Sequence, residues 1–289
     1  VGVLVAMLSM STGLNKTLTA TGDPNRAIIL RGGSLGELSS FLDRSSSTLI
    51  KQDPAIARHP DGLPFASGEL IVITEVPRKG QSSGANVSLR GVEPKGFDIR
   101  PELNILQGRK FKPGLRELMV GAGAYKQFDG LQVGSKLKFR GSYWDVVGVF
   151  ETKDAHDSEL WADLDTVQSA FGRSGMSSVV VRLNYSKAFD DLKRRLSADP
   201  QLTVDVKTEQ DYFSSQSSGL TSQIGFLTNI VAYIMAFGAL FGALNTMYSA
   251  VSSRTAEIGT LRALGLGNAP VVASVMAEAM AVSLLGGML

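Results

Sequence analysis

The sequence of 289 residues contains no cysteine and only two histidines. Without cysteine the chain forms no disulfide and offers no thiolate, and its redox compartment cannot be inferred. No Gly-Lys dipeptide occurs, so the chain lacks the G-x-x-x-x-G-K-[ST] loop that binds nucleotide phosphates. The formal net charge is only +2, from 29 basic and 27 acidic residues, which gives no reason to expect nucleic acid as a partner.

Charged residues are also missing from two long stretches near the carboxyl end. Residues 212–253 contain no Asp, Glu, Lys or Arg, and neither do residues 263–277. Within the first stretch, residues 224–251 are mostly apolar over a length that exceeds the roughly 20 residues needed to span a bilayer. They are predicted to form a transmembrane helix, because a soluble helix of this length normally has a polar face.

Both ends of the sequence are apolar as well. Residues 269–289 remain apolar up to the last residue and predict a truncated third transmembrane helix. Residues 1–10 are apolar over about half a span and predict the end of a truncated first helix, with a short strand as the alternative. A signal peptide would need a basic start and a small-residue cleavage site, and neither is visible in residues 1–10.

Residues 11–207 predict an α+β domain of about two hundred residues. Its two ends are expected to form one part, because residues 177–206 have the strand, helix, strand order of a split βαβ unit. Residues 69–150 are almost all strand and turn, and predict a β-rich insert. A helix is also expected within residues 34–52.

Residues 208–223 predict a helical stalk that leads from this domain to the membrane. Thr208 and Asp211 have the spacing of a capping box, so a helix is expected to begin near Glu209. A helix from there to Ser253 would measure roughly 68 Å at about 1.5 Å per residue, twice the roughly 30 Å hydrocarbon core. The stalk is polar without charge, and Gly219 is a place where it could bend.

A short charged segment, residues 252–268, separates the two apolar stretches. Arg254 and Arg262 outnumber Glu257 there, and an excess of basic residues in a short loop predicts that the loop is cytosolic. The large domain would then be extracytoplasmic. On a helix, Ile258, Leu261 and Leu264 would share one face, opposite small residues at 256, 259, 260 and 263. Such a helix could rest on lipid headgroups or dock in a groove on another protein.

Residues 252–287 resemble the signature of FtsX-like permeases of the macrolide-exporter class of ABC transporters. In that family an R-x-x-EIG-x-x-RALG segment follows the second transmembrane helix. The match lies at Arg254, Glu257, Ile258, Gly259, Arg262, Ala263, Leu264 and Gly265, and Glu278, Gly286 and Gly287 fit the third helix. The resemblance implies that this segment, with Leu261, is a coupling helix that touches an ATPase subunit.

The resemblance also implies an architecture and a set of partners. The family has four transmembrane helices, so this chain would contain part of the first, all of the second and most of the third. It implies a multi-pass protein of the bacterial inner membrane that forms a homodimer, meets lipid and contacts an ABC ATPase, which would hold the ATP. An extracytoplasmic adaptor or a substrate would be a further partner. The expected role is to couple ATP hydrolysis to motion of the extracytoplasmic domain for export; a permease that regulates an outside partner without transport is the alternative.

One motif suggests an enzyme instead. Residues 32–36, GGSLG, satisfy the G-x-S-x-G pattern of a nucleophile elbow, in which Ser34 would need one of the two histidines, His59 or His156. A membrane-tethered serine hydrolase is therefore a further alternative. The simpler interpretation makes residues 32–36 a turn, with Ser34 as a helix N-cap and Glu37 completing a capping box. On that interpretation the chain has no catalytic residue and no cofactor.

Acidic residues gather around His156 without the spacing of a known metal site. They are Asp154, Asp157, Glu159, Asp163 and Asp165. With one histidine among them, a solvated loop that leads into a helix is the favoured interpretation, and no metal is predicted. Trp144 and Trp161 are expected in the core or at a partner surface.

Small residues in the predicted membrane helix suggest close helix packing. Gly238 and Gly242 form a G-x-x-x-G motif, reinforced by Ala239 and Ala243. General glycine enrichment in membrane helices is the alternative explanation. Glu278 is costly if it faces lipid, so it is expected to face protein or the headgroup region.

Overall fold

The computed structural model describes residues 6, 9, 13, 21–80, 83–185, 187–265 and 267–288, without the side chains of residues 217–224, 261, 278 and 282–289. The chain divides into two compact units, Met10–Ser222 and Val1–Ser9 with Gln223–Leu289. The helix end or strand expected at residues 1–10 lies almost wholly outside the described residues.

Strands dominate the larger unit. They are β1 (Arg26–Arg31), β2 (Ala66–Pro77), β3 (Gly84–Val92), β4 (Asn104–Gly108), β5 (Glu117–Gly121), β6 (Lys136–Phe139), β7 (Ser142–Glu151), β8 (Leu160–Asp163), β9 (Ser178–Arg182) and β10 (Val204–Thr208). The helices are α1 (Arg44–Lys51), α2 (Gly96–Ile99), α3 (Ala122–Gln127), α4 (Leu164–Phe171) and α5 (Ala188–Ala198), with 3-10 turns η1 (Glu37–Ser39) and η2 (Ala155–Ser158).

These strands form one mixed sheet in the described part of the chain. Its order is β10-β1-β9-β2-β3-β8-β5-β7-β4, and β6 pairs with β7. Strand β1 lies between β9 and β10 and is antiparallel to both, so β9, α5 and β10 form the split βαβ unit that the sequence predicted. The fold is a mixed α and β sheet domain.

The predicted division into two parts does not produce two sheets. Strand β2 is twelve residues long, and its first part, Ala66–Glu69, pairs with β9, while residues from Glu69 onward pair with β3. The β-rich region is therefore continuous with the split βαβ region. Separate apolar clusters still underlie the two regions, one around Ile29, Val181 and Leu192 and one around Leu89, Leu118 and Trp144.

A helix forms within residues 34–52, as expected, but it covers only the second half of the pattern. Before helix α1 the chain makes the turn η1 and a β-bridge between Leu42 and Met176. Asp43 caps α1 by accepting a hydrogen bond from the Ser46 amide at 2.7 Å. The bridge interrupts the helix because residue 42 uses its backbone groups to pair with the segment before β9.

Three helices follow β10: α6 (Glu209–Ser253), α7 (Thr255–Ala263) and α8 (Asn268–Met288). Helix α6 begins where the sequence predicted, and the Thr208 hydroxyl accepts a hydrogen bond from the Asp211 amide at 3.0 Å. Among the described residues, Gly225–Ser253 is the one helix segment long and apolar enough to span a membrane, with a mean hydropathy of 1.8. Further spans at residues 1–10 and 269–289 stay predictions.

Candidate functional site at the two ends of the long helix

The first turn of α6 is fixed to the sheet by a buried carboxylate. Glu209 is 1% exposed and accepts a hydrogen bond from Arg26 Nε at 2.5 Å and one from the Asp23 amide at 3.2 Å. A second guanidinium, that of Arg100, lies 3.5 Å from Glu209 Oε1. The helix therefore begins inside the folded unit, held by strand β1 and by the residue that follows α2.

This contact is one edge of a larger buried ion network. Arg100 also binds Glu69 of β2 at 2.6 Å, and Arg90 of β3 binds the other oxygen of Glu69 at 2.7 Å. Arg90 further binds Glu37 of η1 at 2.9 Å and Glu159 at 2.7 Å. The network thus connects the start of α6 to two central strands and to the loop before β8.

The charges in this network hold each other ionised. Burial alone would raise the pKa of Glu69, but the guanidinium groups of Arg100 and Arg90 lower it to about 2. Burial likewise opposes ionisation of Glu159, whose pKa Arg90 nevertheless lowers. Removing one member of such a network leaves its partner charged in a dry site, which costs about 3–5 kcal/mol. Each member of the network therefore contributes to the stability of the attachment of α6.

Sequence analysis did not find this network. Its members are spread over the sequence from Arg26 to Glu209, so no spacing rule connects them. The available signal was a charged residue inside an otherwise apolar strand pattern, at Arg26, Glu69 and Arg90, each at most 3% exposed.

A loop closes over the next turn of α6. The Tyr212 hydroxyl accepts hydrogen bonds from the Glu37 amide at 3.1 Å and from Gln216 Nε2 at 2.7 Å. Burial raises the pKa of Tyr212 to about 12, and the Glu37 carboxylate adds to this, so the phenol stays protonated at physiological pH. At Gly36 a side chain would meet Gln216 Nε2 at 2.9 Å, so glycine permits the close approach of loop and helix.

The other face of this turn meets an aromatic group. The Phe213 ring lies 5.5 Å from the His156 ring at an angle of 77°, and the His156 ring lies 5.7 Å from Trp161 at 89°. His156 is 1% exposed and its Nδ1 lies 3.0 Å from Asp154 Oδ1. Glu209, Tyr212 and Phe213 thus give the first two turns of α6 three separate attachments to the larger unit.

The far end of α6 leads into the predicted coupling segment. Arg254 separates α6 from α7, and the Ile258 amide donates to the Arg254 carbonyl at 3.0 Å. Arg262 donates to Asn268 Oδ1 at 2.5 Å, which connects the end of α7 to the start of α8. A groove of about 440 Å³ lies between the three helices, lined by Met247, Val251, Ile258, Arg262, Asn268, Val271, Val272, Val275 and Met276.

The remaining predicted coupling residues fall at the surface or at the helix end. Glu257 is exposed, and no atom lies within 4 Å of the Cβ position of Gly259. Leu264 follows the last residue of α7 and is 77% exposed. Gly265 has a φ of 91°, the left-handed conformation that ends a helix. The side chain of Leu261 lies outside the description.

The four small residues of the predicted packing motif are exposed in the single chain. No heavy atom lies within 4 Å of the Cβ positions of Gly238 and Gly242, and Ala239 and Ala243 are exposed. The packing role stays a prediction. Glu278 falls within α8, but its side chain is outside the description.

The residues of the hydrolase alternative are not assembled in the described part of the chain. Ser34 is not an N-cap either, which corrects the capping-box interpretation: η1 has Gly36 as its N-cap, and Glu37 turns inward to Arg90. His156 Nδ1 is engaged by Asp154, and neither His156 Nε2 nor His59 Nε2 has a hydrogen-bond partner among the described residues.

The acidic residues near His156 have structural roles. Asp154 and Asp163 cap η2 and α4, Asp157 accepts from the Thr152 amide at 2.6 Å, and Glu159 binds Arg90. Asp165 pairs with Arg44 at the surface. No cluster of three or more metal-binding side chains occurs within the residues described. Trp144 and Trp161 are both fully buried.

Two family models match this chain and together cover most of it. Residues 1–199 match the MacB-like periplasmic core domain, and residues 229–289 match the FtsX-like permease C-terminal region.

Individual relatives share low sequence identity with this chain and are longer than it. The macrolide export ATP-binding/permease protein MacB of Bdellovibrio bacteriovorus is 23% identical over 325 residues, covering 100% of this chain and 48% of that protein. The protein of the same name from Escherichia coli is 27% identical, covering 85% of this chain and 40% of that protein. The chain therefore spans less than half the length of these curated relatives. The solved periplasmic region of MacB from Actinobacillus actinomycetemcomitans has a TM-score of 0.48 and 17% identity, covering 65% of this chain and 90% of that one.

Proposed function

Since this chain belongs to the FtsX and MacB type of ABC transporter permease, we propose that it is the membrane subunit of an exporter. In this proposal a separate ATPase subunit binds α7 on the cytosolic side and hydrolyses ATP. The chain itself holds no cofactor and catalyses no reaction. Its task is to carry the resulting displacement along α6 to the extracytoplasmic sheet domain.

The observation that carries the proposal is the attachment of α6 at its start. A helix joined to a domain by a flexible linker would dissipate a displacement, whereas a helix whose first turn is part of the domain's buried ion network moves with the domain. Glu209 provides this attachment through Arg26 and Arg100.

The other end of α6 supports the same role. Arg254 through Ala263 form a turn and a short helix whose exposed Glu257 and open Gly259 are available to a partner. Two copies of the chain would pack through Gly238 and Gly242, whose faces are open in the single chain. The proposed location is the bacterial inner membrane, in contact with lipid and with an adaptor or the substrate outside.

Two substitutions in the full-length protein separate ATPase binding from transmission. Glu257→Lys reverses an exposed charge on α7 and should reduce co-purification of the ATPase, while the outer domain stays folded because surface substitutions usually cost within about 0.5 kcal/mol. Ser218→Pro should leave ATPase binding intact but abolish export-linked resistance or growth, because a proline inside a helix costs about 3 kcal/mol and removes a hydrogen bond. Lys138→Glu, a charge reversal on β6, is the matched control. If Glu257→Lys binds the ATPase normally and Ser218→Pro supports normal export, the proposal is contradicted.

Topology is tested independently with single cysteines, since the chain has none of its own. Cysteines at Ser83 and Ser253, both exposed, should react with an impermeant maleimide from opposite sides of an intact membrane, with Ser83 labelled from outside. Labelling of both from the same side would exclude the proposed arrangement.

A further inference from the structure

The groove between α6, α7 and α8 has a polar end and an apolar end. Its polar end holds Asn268 and Arg262, which is the one charged side chain among the nine described residues that line the groove. A hydrogen bond of 2.5 Å from Arg262 to Asn268 Oδ1 directs the guanidinium to this end. From Asn268 to Met276 the lining follows α8 over eight residues, about 12 Å at roughly 1.5 Å per residue. The remaining lining side chains are apolar: Met247, Val251, Ile258, Val271, Val272 and Val275.

The place of the groove along the chain is the edge of the predicted membrane span. Met247 and Val251 lie in the last two turns of Gly225–Ser253, the segment that is long and apolar enough to cross a bilayer. Arg262 belongs to α7, the short helix that follows this segment. With α6 spanning the membrane as proposed, the apolar end of the groove would meet acyl chains. The polar end would lie at the depth of the headgroups, where long basic side chains place their charge.

The size and the lining of the groove are those of a ligand site. Its volume of about 440 Å³ falls within the roughly 300–1,000 Å³ of small-molecule pockets, which combine a mainly apolar lining with a few placed polar groups. A guanidinium presents its N–H donors in a planar fork that matches the oxygens of a phosphate. Basic pockets between membrane helices on the cytoplasmic side are typical sites for anionic headgroups. An apolar groove that ends at Arg262 therefore matches a molecule with a fatty chain and a phosphate.

Other occupants match the groove less well. The residues of α7 that are open to an ATPase, Glu257 and Gly259, do not line the groove, so the ATPase and a ligand in the groove would contact different residues of α7. An apolar membrane helix in the groove would surround the Arg262 charge with groups that do not compensate it, which is costly at the edge of a bilayer. A phosphate at the polar end compensates the same charge and also forms hydrogen bonds with it.

We propose that this groove binds an anionic phospholipid, with the phosphate at Arg262 and an acyl chain along Val272 and Met276. The site depends on the membrane location proposed above for α6, and it adds a ligand to the three helices at the cytosolic end of that span. The bound lipid would contact α6, α7 and α8 at once, because all three helices line the groove. It would thereby fix the orientation of α7, the helix assigned to the ATPase contact.

Quenching of tryptophan fluorescence by brominated lipids tests this site in the full-length protein reconstituted in vesicles. Trp144 and Trp161 are fully buried in the larger unit, so they give a background that lipid does not quench. Met276→Trp places a further indole at the apolar end of the groove, where the parent side chain is 52% exposed and leaves room for it. In competition at this indole, brominated phosphatidylglycerol should bind about fivefold more tightly than brominated phosphatidylcholine, which is the attraction expected from one basic residue.

Substitutions at the polar end, made in the Met276→Trp protein, identify the residue responsible. Arg262→Gln keeps an amide donor for Asn268 but removes the charge, and it should abolish the preference for phosphatidylglycerol. Arg262→Lys keeps the charge and should retain most of the preference. Arg254→Gln is the matched control, because it removes a basic residue that lies in the same segment but does not line the groove, and it should retain the preference. An equal loss in Arg254→Gln would show a general attraction to surface charge and would overturn the site.

A second indole separates this inference from the proposed function. Phe237 is 61% exposed, does not line the groove and lies on a different face of α6 from Gly238 and Gly242. Phe237→Trp should be quenched by both brominated lipids because it lies within the membrane span. If neither lipid quenches it, the membrane location is wrong and the lipid site is overturned with it. If both quench it, but Met276→Trp is unquenched or shows no preference for phosphatidylglycerol, the lipid site alone is overturned.

Discussion

Glu209→Gln tests whether the start of α6 is energetically part of the sheet domain. The substitution keeps the shape of the side chain but removes its charge, which leaves Arg26 and Arg100 with less compensation inside the protein. Breaking one partner of a buried ion pair costs about 3–5 kcal/mol. Here the cost is smaller, about 2 kcal/mol, because Arg26 keeps Glu102 at 2.6 Å and Arg100 keeps Glu69 at 2.6 Å.

Intrinsic fluorescence offers a selective assay for this effect. The chain has two tryptophans, and both Trp144 and Trp161 are fully buried in the larger unit, so their emission reports its unfolding even when the full chain is held in detergent. For a unit of about 200 residues, 2 kcal/mol corresponds to a decrease in Tm of about 4–8 °C.

A surface pair provides the matched control. Asp165 and Arg44 form an ion pair in which the side chains are 71% and 65% exposed. Asp165→Asn removes the same kind of charge, and it should leave the Tm unchanged within error because exposed pairs contribute little. If Glu209→Gln and Asp165→Asn have the same Tm, the buried attachment of α6 does not stabilise the domain. The argument for rigid transmission would then lose its basis.

Two further predictions follow from acid titration and from the open face of α7. Lowering the pH should destabilise the larger unit, because the pKa of Glu69, which burial alone would raise, is lowered to about 2 by Arg100 and Arg90. The stabilisation is complete above the ordinary value of 4.5 and is lost as the pH falls toward 2, which tryptophan fluorescence would follow. Glu69→Gln, though less stable, should show a weaker dependence on pH, with the remainder due to carboxylates such as Glu159 whose pKa is also lowered. A parent that is equally stable at pH 5 and pH 2.5 would contradict the prediction. Gly259→Ala should leave the Tm unchanged, since its Cβ meets no atom within 4 Å, and should weaken co-purification of the ATPase by adding a methyl group to the face predicted to bind it; binding like that of the parent would place the contact elsewhere.

The local signals in the sequence were sufficient for several elements. The hydrophobic run of residues 224–251, the Thr208 cap and the order of β9, α5 and β10 depend on neighbouring residues along the chain, and the structure has a long helix and a split βαβ unit at these places. The same holds for the motif around Glu257, whose fixed spacing supported the family assignment. Within residues 34–52 the predicted helix forms only at Arg44–Lys51, because a bridge from Leu42 to Met176 occupies the chain before it.

What the sequence by itself determined about this protein was therefore its class: an uncharged helix of membrane length, an α+β domain and a recognisable permease motif. Only the tertiary structure decided how α6 is attached to that domain. Arg26, Glu69, Arg90 and Glu209 come from distant parts of the chain and meet only because the sheet places β1, β2 and β3 beside the start of the helix. A charged residue in an apolar strand pattern indicates a buried ion, but it does not identify the residue that pairs with it. That residue depends on the order of the strands in the sheet and not on spacing in the sequence.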